Sequence, residues 1–267
     1  MDHGVIVINI ILTLGSLGLI FGLGLAYAEL KFGIKLDERV YEAEEVLPKG
    51  QCGACGFAGC AAYAEAVITN PDVASNLCVP GGSEVAKLVA QIAGKEVKEL
   101  ERVKAHVVCQ GMPEKTFVYD GLTDCEAANL LFGGDRACQY ACMGMGSCAR
   151  ACKFDAITIS EVGRPVINHE LCTGCGQCVL VCPKGTIELI PEKAKVKVLC
   201  RSHDKGPVVK KICKVGCIGC GICAKNCPNE AIKIENFLAT IDHSKCIDCT
   251  DYKCLSNCPT GAIVSLV

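Results

Sequence analysis

The stretch Cys172-Thr-Gly-Cys175-Gly-Gln-Cys178-Val-Leu-Val-Cys182-Pro183 decides how this chain is read. Its Cys-x2-Cys-x2-Cys-x3-Cys-Pro spacing suits a cubane [4Fe-4S] cluster. Three thiolates on one Gly-punctuated loop grip three corners of a cube, and the fourth, carried by the following helix, reaches a second cube. The motif therefore implies a partner, and Cys217-x2-Cys220-x2-Cys223-x3-Cys227-Pro228 repeats it without change.

The chain has 267 residues, 24 cysteines, no tryptophan and a formal net charge of -2. That length holds two or three small domains, but large core side chains are few, so something besides apolar packing must hold them together. A secreted disulfide scaffold would also use many cysteines. Closely spaced thiols in repeated runs followed by proline instead suit metal ligation in a reducing compartment. The near-neutral balance excludes a nucleic-acid binder, which needs a concentrated basic surface.

From Val5 to Tyr27 no side chain is charged, and at about 1.5 Å per residue this covers roughly 30 Å of hydrocarbon. Residues 1–30 are expected to form a single transmembrane anchor. Gly15, Gly18, Gly22 and Gly24 offer small faces to another helix. A signal peptide cut near Ala26-Tyr27-Ala28 is the competing reading, but no Lys or Arg precedes the run and the run is too long. Lys31, Lys35 and Arg39 follow the span while only Asp2 and His3 precede it. The positive-inside rule then puts the rest of the chain on the cytoplasmic side of the cell membrane.

Residues 31–95 read as a small, mainly helical [4Fe-4S] domain. Cys52, Cys55, Cys60 and Cys78 are its four ligands, and Gly53, Gly56 and Gly59 let the backbone approach closely. Helices are expected over Ala61–Thr69 and Glu84–Ile92, the second capped by Ser83. Four thiolates would suit zinc as well, but the neighbouring motifs favour iron. Gly94 to Glu101 reads as a charged linker or helix end.

Residues 138–157 align without a gap on residues 213–232, an offset of 75 that marks an internal repeat. Val166 to Cys172 likewise mirrors Thr240 to Cys246. Each repeat holds two cysteine runs, followed by strand-like pieces at Ala156-Ile-Thr-Ile, Thr186-Ile-Glu-Leu-Ile, Ala231-Ile-Lys-Ile and Ala262-Ile-Val. The expected fold class is α+β, with two tandem two-cluster ferredoxin-like modules, one over 96–200 with its preceding linker and one over 201–267.

Crossing the fourth ligands predicts the cluster sets. Cys217, Cys220 and Cys223 take Cys258, while Cys246, Cys249 and Cys254 take Cys227, with a bulge where x4 separates Cys249 from Cys254. Cys172, Cys175 and Cys178 take Cys152, although Lys153 replaces the usual proline. At the position matching Cys220 the chain has Met145. Cys138, Cys142 and Cys148 are therefore expected to join Cys182. Cys109, Cys125, Cys200 and Cys213 remain. Because the 24 cysteines divide into fours, they are assigned to a sixth cluster between the modules, beyond the five already counted, with inert buried thiols as the alternative.

The membrane span, CGACGFAGC with its CVPGG partner, GMGSCARAC and VGCIGCGICAKNCP together resemble the B subunit of the Rnf complex, the ion-translocating ferredoxin:NAD oxidoreductase, in its long multi-cluster form. The resemblance covers essentially the whole chain. It implies electron transfer from reduced ferredoxin through [4Fe-4S] clusters towards NAD, coupled to Na⁺ or H⁺ export, with other Rnf-type membrane subunits and soluble ferredoxin as partners. The residues themselves carry only the wire. No dinucleotide fingerprint follows a strand, so NAD is expected on another subunit. A span with no internal charge makes no ion path alone, and no nucleophile-base pair stands out, Ser147 and the five histidines reading as ordinary loop or surface residues. A membrane-tethered polyferredoxin of a hydrogenase or of a redox-sensor-reducing system, and a zinc-stabilised interaction module, are the competing functions.

From Lys184 to Lys214 the basic residues Lys184, Lys193, Lys195, Lys197, Arg201, Lys205, Lys210, Lys211 and Lys214 outnumber Glu188, Glu192 and Asp204. This reads either as a landing surface for an acidic ferredoxin or, at Lys193, Lys195 and Lys197, as protection of a solvent-facing edge strand.

Overall fold

The computed structural model describes residues 3–32, 37–97, 101–247 and 249–266, without the side chains of residues 3–7. Helix α1 (His3–Phe32) contains a stretch, Ile8–Phe32, with a mean hydropathy of 2.1, long and apolar enough to cross a membrane. The helix continues two residues past the expected end of the anchor at residue 30. Glu29 and Lys31 are good helix formers, and the Lys31 ammonium lies 5.9 Å from the Tyr27 ring centroid. Lys35 and residues 98–100 of the expected linker lie outside the described residues.

Helices α2 (Glu38–Val46), α3 (Cys60–Thr69) and α4 (Gly82–Ala93) pack around Val40, Ala43, Leu47, Tyr63, Val67 and Val89. Asp37 caps α2 by accepting from the Arg39 N–H. Ser83 does not cap α4: the helix starts two residues earlier than expected, at Gly82, with Gly81 at the cap, and Ser83 falls inside the first turn. Gly94 ends α4 at φ 67, a left-handed stop that suits glycine.

The first module runs β1 (Val103–Val107), α5 (Cys125–Leu130), α6 (Ser147–Arg150), β2 (Ile157–Ile159), β3 (Pro165–Ile167), α7 (Gln177–Leu180) and β4 (Ile187–Pro191). The second runs β5 (Val196–Val198), α8 (Gly206–Ile212), α9 (Ile222–Lys225), β6 (Ile232–Glu235), β7 (Leu238–Ile241), α10 (Lys253–Ser256) and β8 (Ile263–Ser265). In both, the first strand pairs antiparallel with the last, Val107 opposite Ile187 and Val196 opposite Ser265, while the middle strands form a hairpin. β5 falls within the range expected for the first module, yet it opens the second. Val196 is fully buried in a core shared with Ala262 and Ile263, and that burial sets its partner.

Lys193, Lys195 and Lys197 do not form one solvent-facing row. Lys197 is partly buried on β5 with its Nζ 3.2 Å from His106 Nδ1. His106, expected at the surface, is buried on β1 with its ring 4.3 Å from that of His169. The short alternation around Lys197 is therefore set by the seam between the modules.

Between β1 and Cys138 the first module makes an excursion that the second lacks. An antiparallel bridge between Lys115 and Arg136 closes its neck, with Thr116 N–H donating to Asp135 O at 2.8 Å and Ala137 N–H to Glu114 O at 3.0 Å. The Asp135 side chain is fully buried and its only ion pair among the described residues is to Lys115, at 2.7 Å. Helix α5 sits in this excursion.

Candidate metal centres

Each of α6, α7, α9 and α10 starts after a left-handed residue, Gly146 (φ 76), Gly176 (φ 79), Gly221 (φ 74) and Tyr252 (φ 40). These turns aim the third cysteine of each run, Cys148, Cys178, Cys223 or Cys254, inward, and all four are buried. Tyr252 occupies the longer interval between Cys249 and Cys254, where a bulge is expected. One turn further on, the N–H four residues downstream donates to the fourth sulfur: Ala156 to Cys152 at 3.4 Å, Thr186 to Cys182 at 3.4 Å, Ala231 to Cys227 at 3.3 Å and Ala262 to Cys258 at 3.3 Å. Lys153 thus leaves the turn after Cys152 like the other three.

The thiols gather in fours. Cys78 lies within electrostatic reach of Cys52, Cys55 and Cys60 (site 1). Cys152, Cys172, Cys175 and Cys178 line one void (site 2). Cys223 faces Cys217, Cys220 and Cys258 (site 5), and Cys254 faces Cys246, Cys249 and Cys227 (site 6).

The two remaining fours differ from the expected ones by an exchange. One void is lined by Cys125, Cys142, Cys148 and Cys182 (site 3), and another by Cys109, Cys138, Cys200 and Cys213 (site 4). Cys125, expected with Cys109, Cys200 and Cys213, lies in site 3. Cys138, expected with Cys142, Cys148 and Cys182, lies in site 4. The excursion is the physical reason: it carries Cys125 into the place left by Met145. Cys138 is then free to face the second module, as its counterpart Cys213 faces the first. Cys109 and Cys200 are also counterparts, each two residues beyond the first strand of its module. Site 4 is therefore built from matching pairs, one pair per module. The offset of 75 between Cys125 and Cys200 is a coincidence of the insertion. The usable signal is the interval from Cys109 to Cys138, 29 positions against 13 from Cys200 to Cys213.

Residues outside the cysteine motifs hold Cys125 in place. Asp124 caps α5, accepting from Glu126 and Ala127 N–H groups, and also accepts from Ser147 Oγ at 2.8 Å. These bonds, led by the one from Ala127, hold its carboxyl below the usual range. Ser147 is buried beside Cys148, not on the surface as expected.

The donor sets fit iron-sulfur clusters. Burial pushes Cys109, Cys148 and Cys178 up to about 12, and Cys78 and Cys223 up to about 11, so thiolates at these positions call for a cationic core at the centre of each four. At Cys258 burial raises the pKa, but donors from Thr260, Ile263 and Ala262 outweigh it and the net direction is down. A lone zinc ion needs sulfurs at about 2.3 Å from one point. Among the described residues no three Cys, His, Asp or Glu side chains converge that closely; the sulfurs stand around voids.

The sites also adjoin one another. Cys52 of site 1 is within electrostatic reach of Cys175 of site 2, and Cys148 of site 3 of Cys178 of site 2. Cys142 of site 3 is within electrostatic reach of Cys109 of site 4, and Cys217 of site 5 of Cys200 of site 4. Sites 5 and 6 exchange fourth ligands across α9 and α10, which pack together.

Family models match three parts of the chain: an Fe-S cluster model over residues 47–80, a 4Fe-4S binding domain over 165–188 and a 4Fe-4S dicluster domain over 216–262. The chain is 51% identical to the B subunit of the proton-translocating ferredoxin:NAD(+) oxidoreductase complex of Clostridium ljungdahlii, with 98% of this chain and 93% of the relative covered. It is 44% identical to the B subunit of the Na(+)-translocating ferredoxin:NAD(+) oxidoreductase complex of Acetobacterium woodii, covering 94% and 75%. It is 43% identical to the B subunit of the ion-translocating oxidoreductase complex of Methanosarcina acetivorans, covering 97% and 98%.

Proposed function

Since the chain belongs to the B-subunit family of ion-translocating ferredoxin:NAD oxidoreductase complexes, we propose that its cysteines hold six [4Fe-4S] centres in an unbroken row, sites 6 to 1, with electrons passing from site 5 to site 1. The chain is an electron-transfer subunit of such a complex, built on 4Fe-4S domains behind an apolar N-terminal helix. The ligand sets are the six fours described above. Site 4 carries this reading, because its paired thiols from both modules close the one gap that two separate modules would leave.

Bound clusters supply one-electron carriers. The chain's residues fix their spacing, keep water from the buried thiols and donate N–H bonds that favour the electron-rich state of the sulfurs. Soluble ferredoxin is the donor, arriving near site 5. Cys220 is the one exposed thiol among the described cysteines, and α8 lies beside its loop, a Cβ on Gly206 falling 2.7 Å from Ile218 O. Lys205, Lys210, Lys211 and Lys214 are exposed on or next to α8, a surface that steers an acidic partner. Site 1 delivers electrons toward the membrane, where other subunits reduce NAD and move Na⁺ or H⁺. The soluble part is placed on the cytoplasmic side, a reading supported by Lys31, Lys35 and Arg39 at the end of the apolar run.

The test is anaerobic purification of the native complex, with ferredoxin-dependent NAD reduction and iron counting. One iron per cysteine of this chain is expected, after subtraction of the iron measured in a complex lacking the chain. A shortfall of one four, or NAD reduction unaffected by removal of this chain, would overturn the reading.

A further inference from the structure

Four turns follow the fourth cysteines of the runs, and the second residue after the cysteine is Phe154, Lys184, Asn229 or Thr260. Only the turn after Cys182, between sites 3 and 4, carries a cation at this position; Lys153, one residue after Cys152, is exposed. Lys184 lines the void of site 3 and is half-buried. Its Nζ donates to Gly133 O at 2.5 Å, in the excursion that brings Cys125. It lies within electrostatic reach of Cys138 of site 4 as well as of Cys182 of site 3. Among the described residues no carboxylate pairs with it. A half-buried ammonium without a carboxylate carries a desolvation cost that only a nearby anion offsets.

We infer that the Lys184 ammonium is the shared counter-cation of sites 3 and 4, holding the reduction potentials of both above those they would have without it. The inference rests on the ligand sets proposed above. A fixed positive charge stabilises the more negative, reduced state of each all-thiolate centre. Placed between two neighbours it acts on both, so the crossing between modules is not made uphill by the burial of site 4. Lys184 takes no part in the transfer itself. Its place in the basic stretch is thus interior, apart from the exposed lysines of α8.

The test is redox potentiometry followed by electron paramagnetic resonance on the anaerobically purified full chain, comparing wild type, Lys184→Met, Lys184→Gln and Lys184→Arg, with iron counted in each. The neutral variants are expected to shift two centres to lower potential, leave the others unmoved and keep full iron, while Lys184→Arg stays close to wild type. Iron loss in both neutral variants but not in Lys184→Arg equally supports a required charge. Unmoved potentials in a fully loaded neutral variant, or the same change in Lys184→Arg, would overturn the inference. Cys125→Ser and Cys138→Ser, run alongside, identify the two centres. If neither variant removes a signal, the ligand sets fail; if both do and Lys184→Met moves nothing, the counter-cation alone fails.

Discussion

The Cys125 backbone N–H donates to Ser147 Oγ at 2.8 Å, joining the tip of the excursion to the helix that carries Cys148. Ser147 in turn donates to Asp124 Oδ2 at 2.8 Å. One buried hydroxyl therefore holds both the cap of α5 and the first residue of that helix, and Arg150 closes the group by donating to Ser147 Oγ at 3.1 Å. Ser147→Ala leaves the Cys125 N–H without this acceptor, at a cost of about 1–3 kcal/mol. The expected result is preferential loss of the site 3 iron to a chelator, with the other sites retained. Equal chelator rates at all sites would show that the hydroxyl does not position Cys125.

The exchange of Cys125 and Cys138 is open to a counting test. Cys125→Ser combined with Cys148→Ser should lose no more iron than either alone, because both thiols line site 3. Cys125→Ser combined with Cys109→Ser should lose twice as much, because Cys109 lines site 4. The grouping read from spacing alone makes the opposite forecast for the second pair, so one set of iron analyses separates them.

How far the sequence could be read follows from what each feature depends on. The runs at Cys172–Cys182 and Cys217–Cys227 are local, their geometry set by a few backbone angles, and they were legible. The expected set for site 2, Cys152 with Cys172, Cys175 and Cys178, is the set that lines one void. Site 3 was misgrouped because Cys125 acts through an insertion whose path depends on a buried pair, Asp135 with Lys115, and on Ser147. No short-range pattern marks those contacts. β1 was not legible, and β5 was legible only as a solvent-facing edge strand, for a similar reason: each is short and pairs with a strand far along the chain, so burial at Ala105 and Val196 decides them. His106 looked like a surface residue because nothing nearby in sequence announces Lys197 across the seam.

The neck of the excursion should depend on Lys115. Removing it leaves Asp135 buried without its cation, at about 3–5 kcal/mol, the Lys115 end being half-exposed and so nearer the low limit. Lys115→Met is expected to release the excursion, seen as new protease cleavage between residues 116 and 134 together with loss of site 3. Asp135→Asn in the same background should recover part of the loss. Intact protease resistance in Lys115→Met would remove the pair from this role.

The seam makes stability depend on pH with a definite sign. Burial, helped by Lys197, His169 and His243, lowers His106 to about 3. Its folded pKa lies below the unfolded value of about 6.5, so the folded chain binds fewer protons than the unfolded one. The stabilisation is fully present above about pH 6.5 and is lost as pH falls towards 3, at up to about 1.4 kcal/mol per pH unit. His169 and His243 are lowered in the same direction, each chiefly by burial. Anaerobic guanidinium unfolding at about pH 5.5 and 7.5 should show a smaller pH difference in His106→Gln than in wild type. Equal differences would mean that His106 is protonated without penalty.

The last expectation concerns how electrons arrive. Lys210, Lys211 and Lys214 are exposed beside the loop of Cys220, whereas Lys184 and Lys197 are turned inward. Long-range steering by exposed charges is screened over about 10 Å at 0.1 M salt, so only the exposed group should give a salt-dependent encounter. Reversing Lys210, Lys211 and Lys214 to Glu is expected to slow reduction by an acidic ferredoxin roughly tenfold at low ionic strength, with the difference vanishing at high salt. Lys197→Gln should leave the salt dependence as it is, because its amine is held against His106. Stopped-flow reduction over a salt series reads both variants. If the triple reversal and wild type respond to salt alike, α8 is not the landing surface and its lysines serve only solubility.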